Sequence, residues 1–144
     1  MKVLIVEDHE HLLKLLVRVM SRYGNYYATD NGADAVRAFE VEMIAKSPFQ
    51  LVLLDIMMPG MDGYEVLNYI RKIEQIYDRD GLEGAKVVMV TAMNSSHNVM
   101  KAFLGNCEAY ITKPYTGEQV EETLARLGIY KPDSKILFKP LHIP

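Results

Sequence analysis

The stretch LVLLDIMMPGMDG, residues 51–63, decides how this chain is read. Four apolar residues, Leu51 to Leu54, lead straight into the acid Asp55, and Pro59, Gly60 and Gly63 then turn the chain past a second acid, Asp62. A short continuous apolar run bounded by turn residues is the pattern of a strand covered on both faces, since a half-exposed strand would alternate. A buried strand that ends on a carboxylate needs a reason for that carboxylate.

The same pairing of apolar run and helical spacing recurs on either side. KVLIV (2–6) precedes Leu12, Leu16, Val19, Met20 and Tyr23; YYATD (26–30) precedes a turn at Asn31-Gly32 and then Ala35, Val36, Phe39 and Met43. LVLL itself precedes Val66, Leu67, Ile70, Ile73 and Tyr77. KVVMVT (86–91) precedes a shorter signal, Val99, Met100 and Phe103, and AYIT (109–112) precedes Val120, Leu124 and Leu127. Strict alternation of strand and helix implies a parallel sheet with right-handed crossovers, so the expected fold is a doubly wound α/β domain of five strands and five helices.

Composition narrows the function classes. The 144 residues suit one domain that buries roughly 70% of its unfolded surface. A formal charge of −3 gives no basic footprint for nucleic acid, and the single Cys107 cannot close an internal disulfide, which suits a reducing compartment. Met1 to Val6 is too short for a secretory signal, and no stretch approaches the roughly 20 apolar residues of a membrane span. The expectation is a cytoplasmic protein without membrane insertion.

In a doubly wound sheet, ligands bind beyond the carboxyl ends of the strands. The first strand ends in Glu7-Asp8, the third in Asp55, the fourth in Thr91 and the fifth in Lys113-Pro114. Residues more than a hundred positions apart therefore meet at one rim. Each has a local alternative: Glu7-Asp8 as a helix N-cap pair, Asp55 as a turn former, Lys113 as a solvated charge. Asp62, just before Gly63 and a helix, reads as a cap rather than a ligand.

Taken together, the acidic pair Glu7-Asp8, DIMMPGMDG from Asp55, Thr91-Ala92 and AYITKP ending at Lys113-Pro114 resemble the receiver domains of two-component response regulators, over about residues 2–128. The resemblance implies a flavodoxin-like strand order 2-1-3-4-5. It also implies phosphorylation from a sensor histidine kinase or a histidine phosphotransfer protein, and signalling by docking to a downstream protein. A relay that passes the group on to a phosphotransfer domain, or a receiver cut from a longer regulator, is the alternative. Such a domain is not an enzyme with an outside substrate; it catalyses only its own phosphorylation and dephosphorylation, as a monomer or weak homodimer.

The groups themselves suit that chemistry. An aspartate carboxylate can attack phosphorus and form an acyl phosphate, which makes Asp55 the expected phosphoacceptor. Glu7, Asp8 and Asp55 would repel one another without a cation among them, and hard oxygen ligands suit Mg²⁺, with Mn²⁺ as a substitute. Lys113 and Thr91 supply a positive charge and a hydroxyl for phosphoryl oxygens. By resemblance, the backbone carbonyl of Met57 is a further metal ligand, and Tyr110 acts with Thr91 as a conformational switch. Met57 and Met93 stand where polar side chains in the family can orient an attacking water; thioethers cannot act as bases, so slow hydrolysis is expected.

Two rivals fail on particular residues. A haloacid-dehalogenase-type phosphatase wants a second acid where Met57 stands, and a flavin-binding protein would not place the acidic EDHEH after its first strand. His9, His11, His97 and His142 have no metal-ligand spacing. YDRDGLEGA (77–85) reads as a surface excursion, and Cys107-Glu108 as a harmless departure from the family pattern. Residues 1–128 are expected to form the receiver domain. Residues 129–144, with the apolar cluster Ile136-Leu137-Phe138, form a tail too short for an output domain.

Overall fold

A computed structural model describes residues 1–92 and 106–132. The chain runs β1 (Lys2–Val6), α1 (Glu10–Met20), β2 (Asn25–Thr29), α2 (Gly32–Ile44), β3 (Leu51–Asp55), α3 (Gly63–Ile76), a 3-10 turn (Gly81–Glu83), β4 (Lys86–Ala92), β5 (Ala109–Lys113) and α4 (Gly117–Arg126). All pairings are parallel and the order is β2-β1-β3-β4-β5. The described residues thus hold four of the five expected helices. The expected helix around Val99, Met100 and Phe103 lies outside them, as do Met93, His97, His142 and the cluster Ile136-Leu137-Phe138.

The period-2 geometry of a strand sends alternate side chains to opposite faces. Leu4, Val6, Val52, Leu54, Val87 and Met89 therefore pack with Phe39, Leu67 and Ile70 on the α2–α3 side. Val3, Ile5, Leu51, Leu53, Val88 and Val90 pack with Leu16, Val19, Val120 and Leu124 on the α1–α4 side. Every residue of β3 is buried, as its unbroken apolar run requires. The edge strand β2 differs: Asn25, Tyr26 and Tyr27 are exposed, because only β1 pairs with it.

Helix starts follow from side-chain caps. Asn31 is not a turn residue but the N-cap of α2; its Oδ1 accepts the Asp34 N–H at 2.8 Å. Asp62 caps α3 by accepting the Glu65 N–H at 2.9 Å, and Thr116 and Gln119 form a reciprocal capping box on α4. The cap position of α1 is His9, whose side chain makes no capping bond, so the Glu7-Asp8 pair is not spent on that helix.

The excursion after α3 is anchored from beneath. Glu74 is buried and accepts the Ala85 N–H at 2.7 Å and an Arg71 N–H at 2.8 Å. Arg71 also donates to the carbonyls of Ala85 and Asn106 and to Glu108, while Glu108 accepts the Val87 N–H at 2.6 Å. Glu108 is therefore not a neutral departure. It ties the entry of β5 to α3 and β4.

Candidate functional site at the carboxyl rim

Sheet register brings the site together. Val6 pairs with Leu54, so the next residues, Glu7 and Asp55, stand side by side at the ends of β1 and β3. Asp55 pairs with Val90, which sets Thr91 just beyond it, and Ala92 pairs with Lys113. One carboxylate oxygen each from Glu7, Asp8 and Asp55 lies within 4.8 Å of the others. Glu7 and Asp55 are buried, Asp8 is exposed, and the cluster is thus open on one side.

Lys113 spans the two buried acids, with Nζ 3.3 Å from Glu7 Oε1 and 3.2 Å from Asp55 Oδ1. The His9 N–H donates to Glu7 Oε1 at 3.1 Å, and the Met57 N–H to Asp55 Oδ1 at 3.3 Å. The second oxygens, Glu7 Oε2 and Asp55 Oδ2, are buried and accept nothing from the described residues. Burial first, then the charge of Glu7 and the Asp8 carboxyl, push the Asp55 carboxyl up to about 7, with Lys113 opposing the rise. The pocket by itself disfavours the negative charge it contains.

That arrangement fits a hard divalent cation. Buried carboxylate oxygens without donors, crowded in an all-oxygen set with one open side, are what such an ion satisfies. Glu7, Asp8 and Asp55 are the side chains that could hold it.

The other expected residues fall as follows. Thr91 is buried at the end of β4, and its hydroxyl donates to the Ala92 carbonyl at 3.3 Å. Tyr110 is half exposed on the edge strand β5. The Met57 side chain points out to solvent, 68% exposed, while Met58 is buried. His9 is exposed, and Cys107 is half-buried against the α2–α3 core.

Two contributors had gone unread. A Cβ on Gly63 would sit 2.3 Å from the Asp55 carbonyl oxygen and 2.7 Å from Ile56 Cα, so only glycine lets α3 begin against the end of β3. The Gly63 N–H donates to the Ile56 carbonyl at 2.9 Å, which closes the loop. The other is Tyr115, whose buried hydroxyl has no partner among the described residues and is held above its ordinary range by burial, then by the charges of Glu7 and Asp55. Its place two residues beyond Lys113 was the available signal.

The chain is thus a doubly wound parallel domain of flavodoxin-like strand order, with three acids and a lysine on its carboxyl rim. The chain belongs to the response regulator receiver domain family, which it matches over residues 3–125. It is 30% identical over 129 residues to chemotaxis protein CheY-3 of Vibrio cholerae, covering 88% of this chain and 91% of that one. It is 29% identical to regulatory protein VanRB of Enterococcus faecalis, covering 88% of this chain and 54% of the relative. The chain spans about half the length of several curated relatives it matches. Among solved structures, a CheY-like receiver domain protein from Methanospirillum hungatei superposes with a TM-score of 0.67 at 30% identity, covering 88% of this chain and 94% of that one. No helix among the described residues is long and apolar enough to cross a membrane.

Proposed function

We propose that this receiver takes a phosphoryl group on Asp55 from a histidine kinase or a histidine phosphotransfer protein. The observation that carries the reading is the placement of Asp55: buried, crowded by Glu7 and Asp8, held by Lys113, and with one oxygen unpartnered. An Asp55 oxygen forms the new O–P bond as the P–N bond to the donor imidazole breaks, and the imidazole nitrogen leaves with the electron pair. Lys113 and the Met57 N–H already contact Oδ1, which supports Oδ2 as the attacking atom. Lys113 then offsets charge on the phosphoryl oxygens, and Thr91 supplies a hydroxyl to one of them.

Glu7, Asp8, Asp55 and the Met57 carbonyl would hold Mg²⁺, which when bound offsets the clustered charge and that of the phosphoryl oxygens. Phosphorylation adds nearly two negative charges at the rim. Thr91 and Tyr110 would carry that change to the β5–α4 surface, where a downstream protein docks. Incubation with acetyl phosphate and MgCl₂ should add one base-labile phosphoryl group, and both EDTA and Asp55→Asn should prevent it. Undiminished labelling of Asp55→Asn would refute the assignment.

A further inference from the structure

The outer edge of β2 is an open ladder. Among the described residues β2 pairs only with β1, and its end residues show which way its backbone points: the Asn25 N–H donates to the Met1 carbonyl, and the Thr29 carbonyl accepts the Glu7 N–H. In a parallel strand, alternate residues send both backbone groups to the same side, so Tyr26 and Ala28 turn theirs outward. Edges of this kind are ordinarily blunted by charge, proline or a bulge. Asn25-Tyr26-Tyr27-Ala28-Thr29 has no charge and no proline, and its register with β1 is unbroken.

Both faces beside this edge are apolar and incompletely covered. Tyr26 pairs with Val3 and so lies on the α1–α4 side, where Leu13 and Val17 are only half-buried. Those two occupy the flank of α1 away from α4, since Leu15 and Val19 are the α1 residues that meet Gly117. Tyr27 pairs with Leu4 and faces α2, over a groove of about 260 Å³ that counts Ala38, Val41 and Phe49 in its lining. Tyr26, Tyr27 and Val41 are exposed.

The end of the described chain lies within reach. Lys86, which opens β4, donates to the Leu127 carbonyl at 2.6 Å, so α4 ends at the pole where the strands begin. Lys131 and Arg22 share Glu121, and Arg22 is three residues before Asn25. Twelve residues follow Pro132, and Lys135 is roughly 10 Å of extended chain beyond it. Lys135-Ile136-Leu137-Phe138-Lys139 is bounded by Asp133-Ser134 and Pro140, and its five residues match the length of β2.

We propose that residues 135–139 dock on the free edge of β2 as a sixth, parallel strand. The crossover from β5 through α4 would then pass over the same face and in the same direction as that from β1 through α1, which gives it the same hand, as the right-handed rule requires. Aligned end to end with β2, the segment would set Lys139 beside Asp30. Its two lysines would also guard the new edge, as the β2 sequence cannot guard its own.

Amide hydrogen exchange followed by NMR on the full chain tests this, with Leu137→Pro and Phe138→Pro combined in one variant. Adjacent prolines ensure that one falls where the strand must donate toward β2. The Tyr26 and Ala28 amides should exchange about tenfold more slowly in the parent than in the variant, at any protein concentration. The Tyr27 and Thr29 amides, turned toward β1, are the internal control and should not change. Equal exchange of Tyr26 and Ala28 in parent and variant would overturn the proposal. Protection that survives the prolines and grows with protein concentration would also overturn it, in favour of a second copy on the same edge.

Discussion

Asp55 holds a charge that its surroundings oppose, and this has a measurable sign. Its carboxyl is raised from 3.8 to about 7, so between those values the folded protein binds more protons than the unfolded chain. Stability contributed by the protonated group is complete below pH 3.8 and is lost as pH rises through about 7. At about 1.4 kcal/mol per unit, the penalty above pH 7 is a few kcal/mol, with the opposing pull of Lys113 already included. In EDTA, Asp55→Asn should therefore be more stable than the parent by on the order of 2 kcal/mol at pH 8, and nearly equal to it at pH 4.5. Melting curves at the two pH values check this. A gain that does not grow with pH would contradict it.

Single residues also mark where sequence reading stopped. Glu7, Asp8, Asp55, Thr91 and Lys113 were legible because each closes an apolar run, and runs of that kind end at a common rim. Tyr115 and Glu74 were not. Each sits at an ordinary helical or loop spacing, and only the fold reveals that Tyr115 is buried and that Glu74 lies beneath an excursion.

At the scale of elements, the junction of β3 and α3 sets where Asp55, the proposed phosphoacceptor, stands. Gly63→Ala would force a Cβ into the Asp55 and Ile56 backbone, which cannot move aside as a side-chain tip could. We expect it to cost about 1–3 kcal/mol and to slow phosphorylation. Gly60, at φ 79° with open space around it, is the control: Gly60→Ala should carry only the left-handed backbone penalty of roughly 1 kcal/mol. Phosphorylation rates that fall equally in both would count against a steric role for Gly63.

The α3–β4 connection makes a separate claim. Glu74→Ala leaves the Ala85 N–H without its acceptor and Arg71 without its buried partner, so a loss of about 3 kcal/mol in denaturant melts is expected. Phosphorylation of the folded fraction should persist, because the network lies at the opposite end of the sheet from Asp55. The charges and glycines of residues 77–85 did suggest a surface segment. They did not reveal its anchor, since a buried glutamate looks like any other in a helical repeat.

For the molecule as a whole, the parallel pairing and both core layers were implied by five apolar runs and their helical partners, while the strand order followed from the family resemblance. Alternation is a strong signal because the right-handed crossover leaves few ways to bury two faces of one sheet. The edges were less legible. YYATD opens on two tyrosines, Tyr26 and Tyr27, that are exposed, as on a strand paired on one side they can be.

On the proposed reading, this fold holds one reactive carboxylate, Asp55, at its carboxyl rim. The most direct measurement phosphorylates the protein with acetyl phosphate and Mg²⁺, reduces it with borohydride, and maps the product by mass spectrometry. An acyl phosphate is reduced to the alcohol, so an aspartyl phosphate becomes homoserine. Homoserine is expected at position 55 and at no other aspartate. Phosphoryl uptake with Asp55 left intact would contradict it.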